Sequence, residues 1–199
     1  ENGGLSAARN TGMERATAPY LMFCDADDWA EPTWCEEMYR AIDGSDADFA
    51  ICRAMIDGDC PAEQRKQLES HQVHLFPPGL RKVEREMFMR MDHAVWIRIF
   101  RRGLVDRYAL RFPEGVVCED WPFCQAYLCA SHAVYFLDRQ LYHYFQREGS
   151  ILNGGEKALR CDLDFLKNWE WLRGVLSSRG LWTGWRASMM MEYFAMLIL

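Results

Sequence analysis

Two acidic groups in this chain have residue types and spacing that could do chemistry. Asp25-Ala26-Asp27-Asp28 closes the apolar run Tyr20-Leu21-Met22-Phe23-Cys24, and Glu119-Asp120 stands just before Trp121-Pro122. In extended backbone, residues i and i+2 point to the same side, so Asp25 and Asp27 present their carboxylates together. The apolar run reads as a buried strand, and in open α/β sheets the end of such a strand is where ligands bind. Adjacent carboxylates repel, so the turn is costly unless a cation or ligand neutralises it. Hard oxygen donors suit Mg²⁺ or Mn²⁺, which in turn bind phosphate oxygens. The competing reading of both groups is a helix N-terminus enriched in acids.

The elements around these residues follow from capping and periodicity. Ser6 is a plausible cap for a helix over Ala7–Ala16, and Pro19 ends it. Tyr20–Cys24 reads as a strand of a parallel sheet. Glu31-Pro32 opens a helix through Ile42, and Asp48–Cys52 is a second strand. This alternation is that of an α/β sheet. Arg53–Pro78 is irregular, with turns at Asp57-Gly58-Asp59 and Pro77-Pro78-Gly79. Ala94–Phe100 reads as a strand followed by a short basic helix from Arg101. The loop Phe112–Gly115 leads to Glu119-Asp120 and a helix over Pro122–Ser131. Ala133–Leu137 and Leu141–Phe145 read as a strand pair turning at Asp138-Arg139. Leu159, Leu163, Leu166, Trp169, Leu172 and Leu176 have the spacing of a helical core stripe, and Gly180 divides this helix from the last one.

Composition narrows the classes. With half of its 199 residues hydrophobic, the chain can bury one full core. A formal charge of −6 argues against a nucleic-acid partner, which needs a basic face. The eight cysteines contain no C-x-x-C pair, and several lie in apolar runs as small hydrophobes, which points to a reducing, cytoplasmic compartment. His71 and His74 have no Cys or carboxylate at ligand spacing and read as solvated loop residues. Arg186 and Glu192 interrupt the apolar C-terminal stretch, which falls short of the roughly 18 apolar residues a membrane span requires. It reads as a core helix or a membrane-surface helix, the latter allowing peripheral membrane association.

Three kinds of protein place acids in such a turn. An EF-hand loop would need an oxygen ligand at Trp29 and glycine at Ala30, so it is excluded. A haloacid-dehalogenase-type phosphatase has D-x-D after an apolar strand, with the first Asp as nucleophile, but wants a small Thr or Val where Trp29 stands. The flanks favour a third. Glu1-Asn2-Gly3-Gly4-Leu5-Ser6-Ala7-Ala8-Arg9-Asn10-Thr11-Gly12, Tyr20 to Asp25, Asp27-Asp28-Trp29 and Glu31-Pro32 closely resemble the family 2 glycosyltransferases of the GT-A fold. Downstream, Trp96 to Arg102 resembles that family's W-N-K-L-Y-R-R segment. Phe112-Pro113-Glu114-Gly115 with Glu119-Asp120 resembles its F-x-E-G…E-D segment. Leu141-Tyr142-His143-Tyr144 with Gly149-Ser150-Ile151 resembles its L-Y-x-Y…G-S-I ending. Ile97 and Arg98 replace the family's Asn-Lys, and Phe145 stands where Arg is common, which bears on donor or acceptor preference.

The resemblance implies a GT-A-like, Rossmann-like α/β fold, a mixed sheet flanked by helices. It covers residues 1–152 as a partial domain, with 153–199 a truncated C-terminal helical segment. Family members begin with a strand, a helix and a second strand whose acids hold the nucleoside base; these first strands are expected to be absent here. The implied activity is metal-dependent, inverting transfer from a nucleotide sugar, UDP-linked by the resemblance, to a saccharide or lipid-linked acceptor in cell-surface polysaccharide synthesis. Asp25 and Asp27 would form the D-x-D holding Mn²⁺ or Mg²⁺, Asp27 as the direct metal contact and Asp25 nearer the ribose. Asp120 takes the position of the general base, and Glu119 would orient the acceptor or the base. Asn2, Gly3, Gly4, Arg9, Asn10 and Arg147 would lie by the donor. For Arg9, pairing with phosphate and pairing with the acidic-turn carboxylates stand equal. Trp29 and Trp121 flank the acids and could stack on sugar faces. The alternatives to catalysis are a non-catalytic fragment that keeps the acidic cleft, or the phosphatase above.

Overall fold

The computed structural model describes residues 3–59, 61–63, 65, 66, 68, 76–146 and 156–198, with backbone alone over 156–162 and 193–198. Helix α1 (Gly4–Arg15) starts three residues before the expected position, with Gly3 as its cap. Gly4 has φ +81°, a left-handed conformation that glycine adopts without strain and that lets the helix begin there. Ser6 is therefore interior to the helix. Its buried face is Ser6, Arg9, Asn10 and Met13, the spacing of one helical stripe with mostly polar members. Such a face delivers hydrogen-bonding groups inward as well as apolar cover.

The strands form one mixed sheet. β1 (Tyr20–Met22) runs antiparallel to β5 (Arg98–Arg101), with Tyr20 opposite Arg101 and Met22 opposite Ile99. β3 (Phe49–Gly58) lies antiparallel on the other side of β5 and parallel to β6 (Ala133–Gln146). β2 (Trp29–Ala30) and β4 (Gly79–Lys82) both pair antiparallel with β6, and the strand order is β1-β5-β3-β6-β2. The expected parallel pairing of Tyr20–Cys24 is thus corrected: among the described strands, only β3 and β6 run parallel.

Two further expectations fail for visible reasons. Ala94–Phe100 is not one strand: Asp92 Oδ1 accepts the Ala94 N–H at 2.7 Å, and Val95–Ile97 coils into a 3₁₀ turn before β5 begins. The strand pair around Asp138-Arg139 is one continuous strand of 14 residues. Asp138 pairs with Arg53 of β3 at 3.0 Å, and the register shift at Arg53 absorbs the extra residues as a bulge. Arg139 reaches Glu37 on α2 (Trp34–Asp43) at 3.1 Å.

The core centres on β3, where Phe49, Ala50, Ile51 and Cys52 are all buried. After a short helix α3 (Met87–Arg90), the 3₁₀ turn and α4 (Arg102–Arg107), the chain enters α5 (Asp120–Ala130). Every residue of α5 from Pro122 onward is buried, as in a helix covered on all sides. Phe123 stacks on Phe112 with centroids 4.0 Å apart, and Tyr127 meets Phe100 edge-on at 4.8 Å. The outer cover is α6 (Glu156–Ser178), followed across Gly180 by α7 (Gly184–Ile198). The core stripe predicted for α6 is corrected at Leu163 and Leu166, and the Leu159 side chain lies outside the described residues. Trp169, Leu172 and Leu176 are buried, but Leu163 and Leu166 are 65% and 54% exposed, and Asp164 and Asn168 face inward instead. No helix among the described residues is long and apolar enough to cross a membrane.

Cys24, Cys35, Cys52, Cys124 and Cys129 are unpaired thiols, whereas Cys118 is disulfide-bonded. The expectation of unpaired cysteines is corrected at that position, because chain spacing does not show which cysteines folding brings together.

Candidate active site

Arg9 joins the two acidic groups. Its Nη2 donates to Asp25 Oδ1 at 2.8 Å, and its Nη1 donates to Glu119 Oε1 at 2.8 Å and to Asp120 Oδ1. The guanidinium also lies over the Phe112 ring at 5.3 Å, and its side chain is only 7% exposed. Burial opposes its charge, but Asp120, Asp25 and Glu119 together outweigh that and raise its pKa. Asp25, an acidic-turn carboxylate, is one of the two partners expected for Arg9.

Asp120 starts α5 with Glu119 as its cap. The capping reading and the functional reading therefore describe the same place in the fold. Its Oδ2 accepts the Val95 N–H at 3.3 Å. Burial pushes the Asp120 carboxyl up to about 7; Arg9 opposes this, while Glu119 and Asp25 add to it. A carboxyl poised there is matched to proton transfer near neutral pH.

The first acidic turn divides its carboxylates by role. Asp27 is exposed and Asp25 half-buried against Arg9. Asp28 turns inward: Oδ1 accepts the Phe145 N–H and Oδ2 the Tyr142 hydroxyl, each at 2.8 Å. Burial raises its pKa, with those two donors opposing. The Tyr142 oxygen also accepts the Asp25 N–H at 3.0 Å, so one hydroxyl staples both ends of the turn to β6. Tyr142 is itself stacked on Trp96 at 4.6 Å. Asp28 is thus engaged in fixing the turn, while Asp25 lies against Arg9 and Asp27 is exposed. Among the described residues, no three His, Cys, Asp or Glu side chains gather as a metal-ligand group. A cation here would need its remaining donors from phosphate and water.

The other expected residues separate. Asn10 accepts the Phe112 N–H at 2.8 Å and donates to Phe112 O at 3.0 Å and to Glu114 Oε1 at 3.1 Å. It ties α1 to the loop before Glu119. Gly3 and Gly4 form the start of α1, and a Cβ at Gly3 would come within 2.8 Å of Ala7 Cβ. Asn2, Arg147, His71, His74 and Gly149-Ser150-Ile151 lie outside the described residues. Ile97 and Arg98 are both interior, Arg98 lying over the Phe49 ring at 5.5 Å and donating to Asp92 O. Their departure from the family pattern is a change of core. Trp121 packs against Phe165 at 5.1 Å, whereas Trp29 is 46% exposed and stacks on His143 at 5.1 Å.

Tyr142 and His143 were quoted in the sequence only as parts of a motif. Strand alternation puts Tyr142 and Tyr144 on one face with Trp96, which could have indicated a role for the hydroxyl. His143 sits between Asp57, at Nδ1, and Glu31, at Nε2 and 3.1 Å. Burial opposes its protonation, but the two carboxylates win and raise its pKa.

The family profile described as "Glycosyl transferase family 2" matches residues 1–109, more than half of the chain. This chain belongs to glycosyl transferase family 2. It is 30% identical over 171 residues to EpsH of Bacillus subtilis strain 168, a protein with a provisional glycosyltransferase name, covering 80% of this chain and 46% of that protein. It is also 30% identical over 159 residues to the glycosyltransferase GlyA of Streptococcus pneumoniae, covering 76% of this chain and 22% of GlyA. The fold matches that of S. aureus TarS residues 1–349 in complex with UDP-GlcNAc, with a TM-score of 0.72 at 17% identity over 96% of this chain and 52% of that one. The family 2 chain therefore spans about half or less of each of these proteins. Membership sets aside the phosphatase reading of the acidic turn.

Proposed function

We propose that the family 2 chain forms the metal-binding and base-bearing part of an inverting glycosyltransferase that uses a nucleotide-sugar donor. The observation that carries this reading is the Arg9 bridge, which holds the acidic turn and Asp120 around one cation. Asp120 takes the proton of an acceptor hydroxyl as that oxygen bonds to the anomeric carbon. The bond from that carbon to the diphosphate oxygen breaks in the same displacement, and the diphosphate leaves with its electron pair. A divalent cation, Mn²⁺ or Mg²⁺, held by Asp25 and Asp27 would neutralise the charge developing on the diphosphate. Arg9 holds Asp25, Glu119 and Asp120 together despite their mutual repulsion, and Glu119 orients the shared guanidinium. Trp29, 46% exposed beside the turn, would stack on a sugar ring with the part of its indole that His143 leaves uncovered.

A UDP-linked donor is supported by the UDP-GlcNAc held in the TarS structure. A saccharide or lipid-linked acceptor of a cell-surface polymer fits the chemistry of the site. The division into residues 1–152 and a helical segment over 153–199 belongs to the same reading. So does a cytoplasmic location at the inner membrane face, supported by the five unpaired thiols among the described residues, with the Cys118 disulfide standing against it.

Calorimetric titration of the full-length protein with UDP-sugars and Mn²⁺ tests the assignment. Asp27→Asn should weaken Mn²⁺-dependent donor binding at least about tenfold, or 1.4 kcal/mol, with the thermal midpoint retained. Unchanged Mn²⁺ affinity in that variant would remove the metal role.

A further inference from the structure

The inner face of α6 carries polar groups where apolar ones would be expected. Asp164 and Asn168 are 2% and 1% exposed, while Leu163 and Leu166 on the same turns point outward. Burying a carboxylate and an amide is costly unless each is hydrogen-bonded. Both are bonded to one residue. The Val117 N–H donates to Asp164 Oδ2 at 3.1 Å, and Asn168 Nδ2 donates to Val117 O at 2.8 Å. Residues four apart on a helix are neighbours on one face, so α6 grips Val117 from both sides of its backbone. Lys167 pairs with Asp164 Oδ1 at 2.7 Å, and Phe165 meets Trp121 on the far side of the acidic pair.

Only Cys118 and Glu119 separate Val117 from Asp120. Cys118 is disulfide-bonded and has φ +60°, an uncommon conformation for a residue with a side chain. The connection has little slack, so a shift of Val117 passes to the Asp120 carboxylate. We propose that Asp164 and Asn168 are positioning residues that hold Asp120 in its catalytic place by clamping Val117. This rests on the general-base reading of Asp120. A misplacement of about 1 Å at a reacting group costs on the order of 10²-fold in rate.

The test uses the full-length protein with Asp164→Ala, Asn168→Ala and the conservative Asp164→Asn, which keeps an acceptor for the Val117 N–H. Turnover per folded molecule should fall by about 10–10²-fold in both alanine variants, with the donor KM near wild type. Asp164→Asn should recover most of the loss. A second readout is the titration of the Asp120 carboxyl by carbon NMR. Its midpoint should move from near 7 toward the ordinary carboxylate range once the loop is released. Wild-type turnover and an unmoved Asp120 titration in both alanine variants, with only the thermal midpoint lowered, would overturn the proposal. If Asp120→Asn instead left turnover intact, the base reading would fail by itself, and the Asp120 titration in Asp164→Ala would still decide the clamp.

Discussion

The two acidic motifs of this family 2 chain use the same residue types and come to opposite local solutions. In the Asp25–Asp28 turn the carboxylates are spread: Asp27 outward, Asp25 toward Arg9, and Asp28 into the Tyr142 hydroxyl and the Phe145 N–H. At Glu119-Asp120 both carboxylates converge on one buried guanidinium. Spreading leaves Asp27 at the surface. Desolvation pushes the Asp120 carboxyl up to about 7 even beside an arginine, because it outweighs the pairing.

The sharpest way to break this contrast is Asp120→Asn, which keeps size and most hydrogen bonding. Turnover should fall by roughly 10²–10⁴-fold while donor affinity stays near wild type. The pH dependence gives a second measure. The folded carboxyl holds its proton up to about 7, whereas the unfolded one loses it near the ordinary value of about 3.9. Over that window the unfolded state binds fewer protons, so this group's contribution makes stability fall as pH rises from about 4 to 7 and level off above. Asp120→Asn should remove that slope in denaturant titrations across the window, and wild-type turnover should rise through pH 7 as the base ionises. Retained turnover with only a lower thermal midpoint would identify Asp120 as a helix-start residue alone.

Arg9→Ala attacks the link between the motifs. It leaves buried carboxylates without their counter-charge and should cost about 3–5 kcal/mol in chemical denaturation. Arg9→Lys supplies a charge but no planar fork, so it should hold one motif and release the other, with an intermediate loss. Wild-type stability in Arg9→Ala would mean that the bridge contributes nothing to folding.

Tyr142→Phe probes the other side of the contrast and should have the smallest effect. It deletes the hydroxyl between the Asp25 N–H and Asp28 but keeps the stack on Trp96. The expected loss is about 1 kcal/mol of stability. Weaker Mn²⁺-dependent donor binding should accompany it, since the turn then loses its anchor. A stability change without any change in metal binding would show that Asp25 and Asp27 hold their places unaided.

Much of this protein was legible along the chain. The apolar run ending at Asp25, the glycines before α1 and the acids before α5 are local signals, since each element is written in contiguous residues. They located both acidic groups and most helices within a turn. The family likeness, carried on motifs spread from Glu1 to Ile151, indicated the mixed α/β fold that the TarS match shares. What the chain could not reveal depended on residues distant in sequence. The carboxylate partners of Arg9 lie 16, 110 and 111 positions away, so the chain alone did not show that they meet. Asp138-Arg139 resembled a turn because charged pairs usually face solvent; Arg53 and Glu37 hold it within a strand instead. Leu163 and Leu166 fit a helical stripe, yet α6 there meets the polar backbone of Val117, which Asp164 and Asn168 hydrogen-bond. The sequence determined which groups could act. Tertiary structure decided which of them are dry, since desolvation is set by distant residues that periodicity does not report.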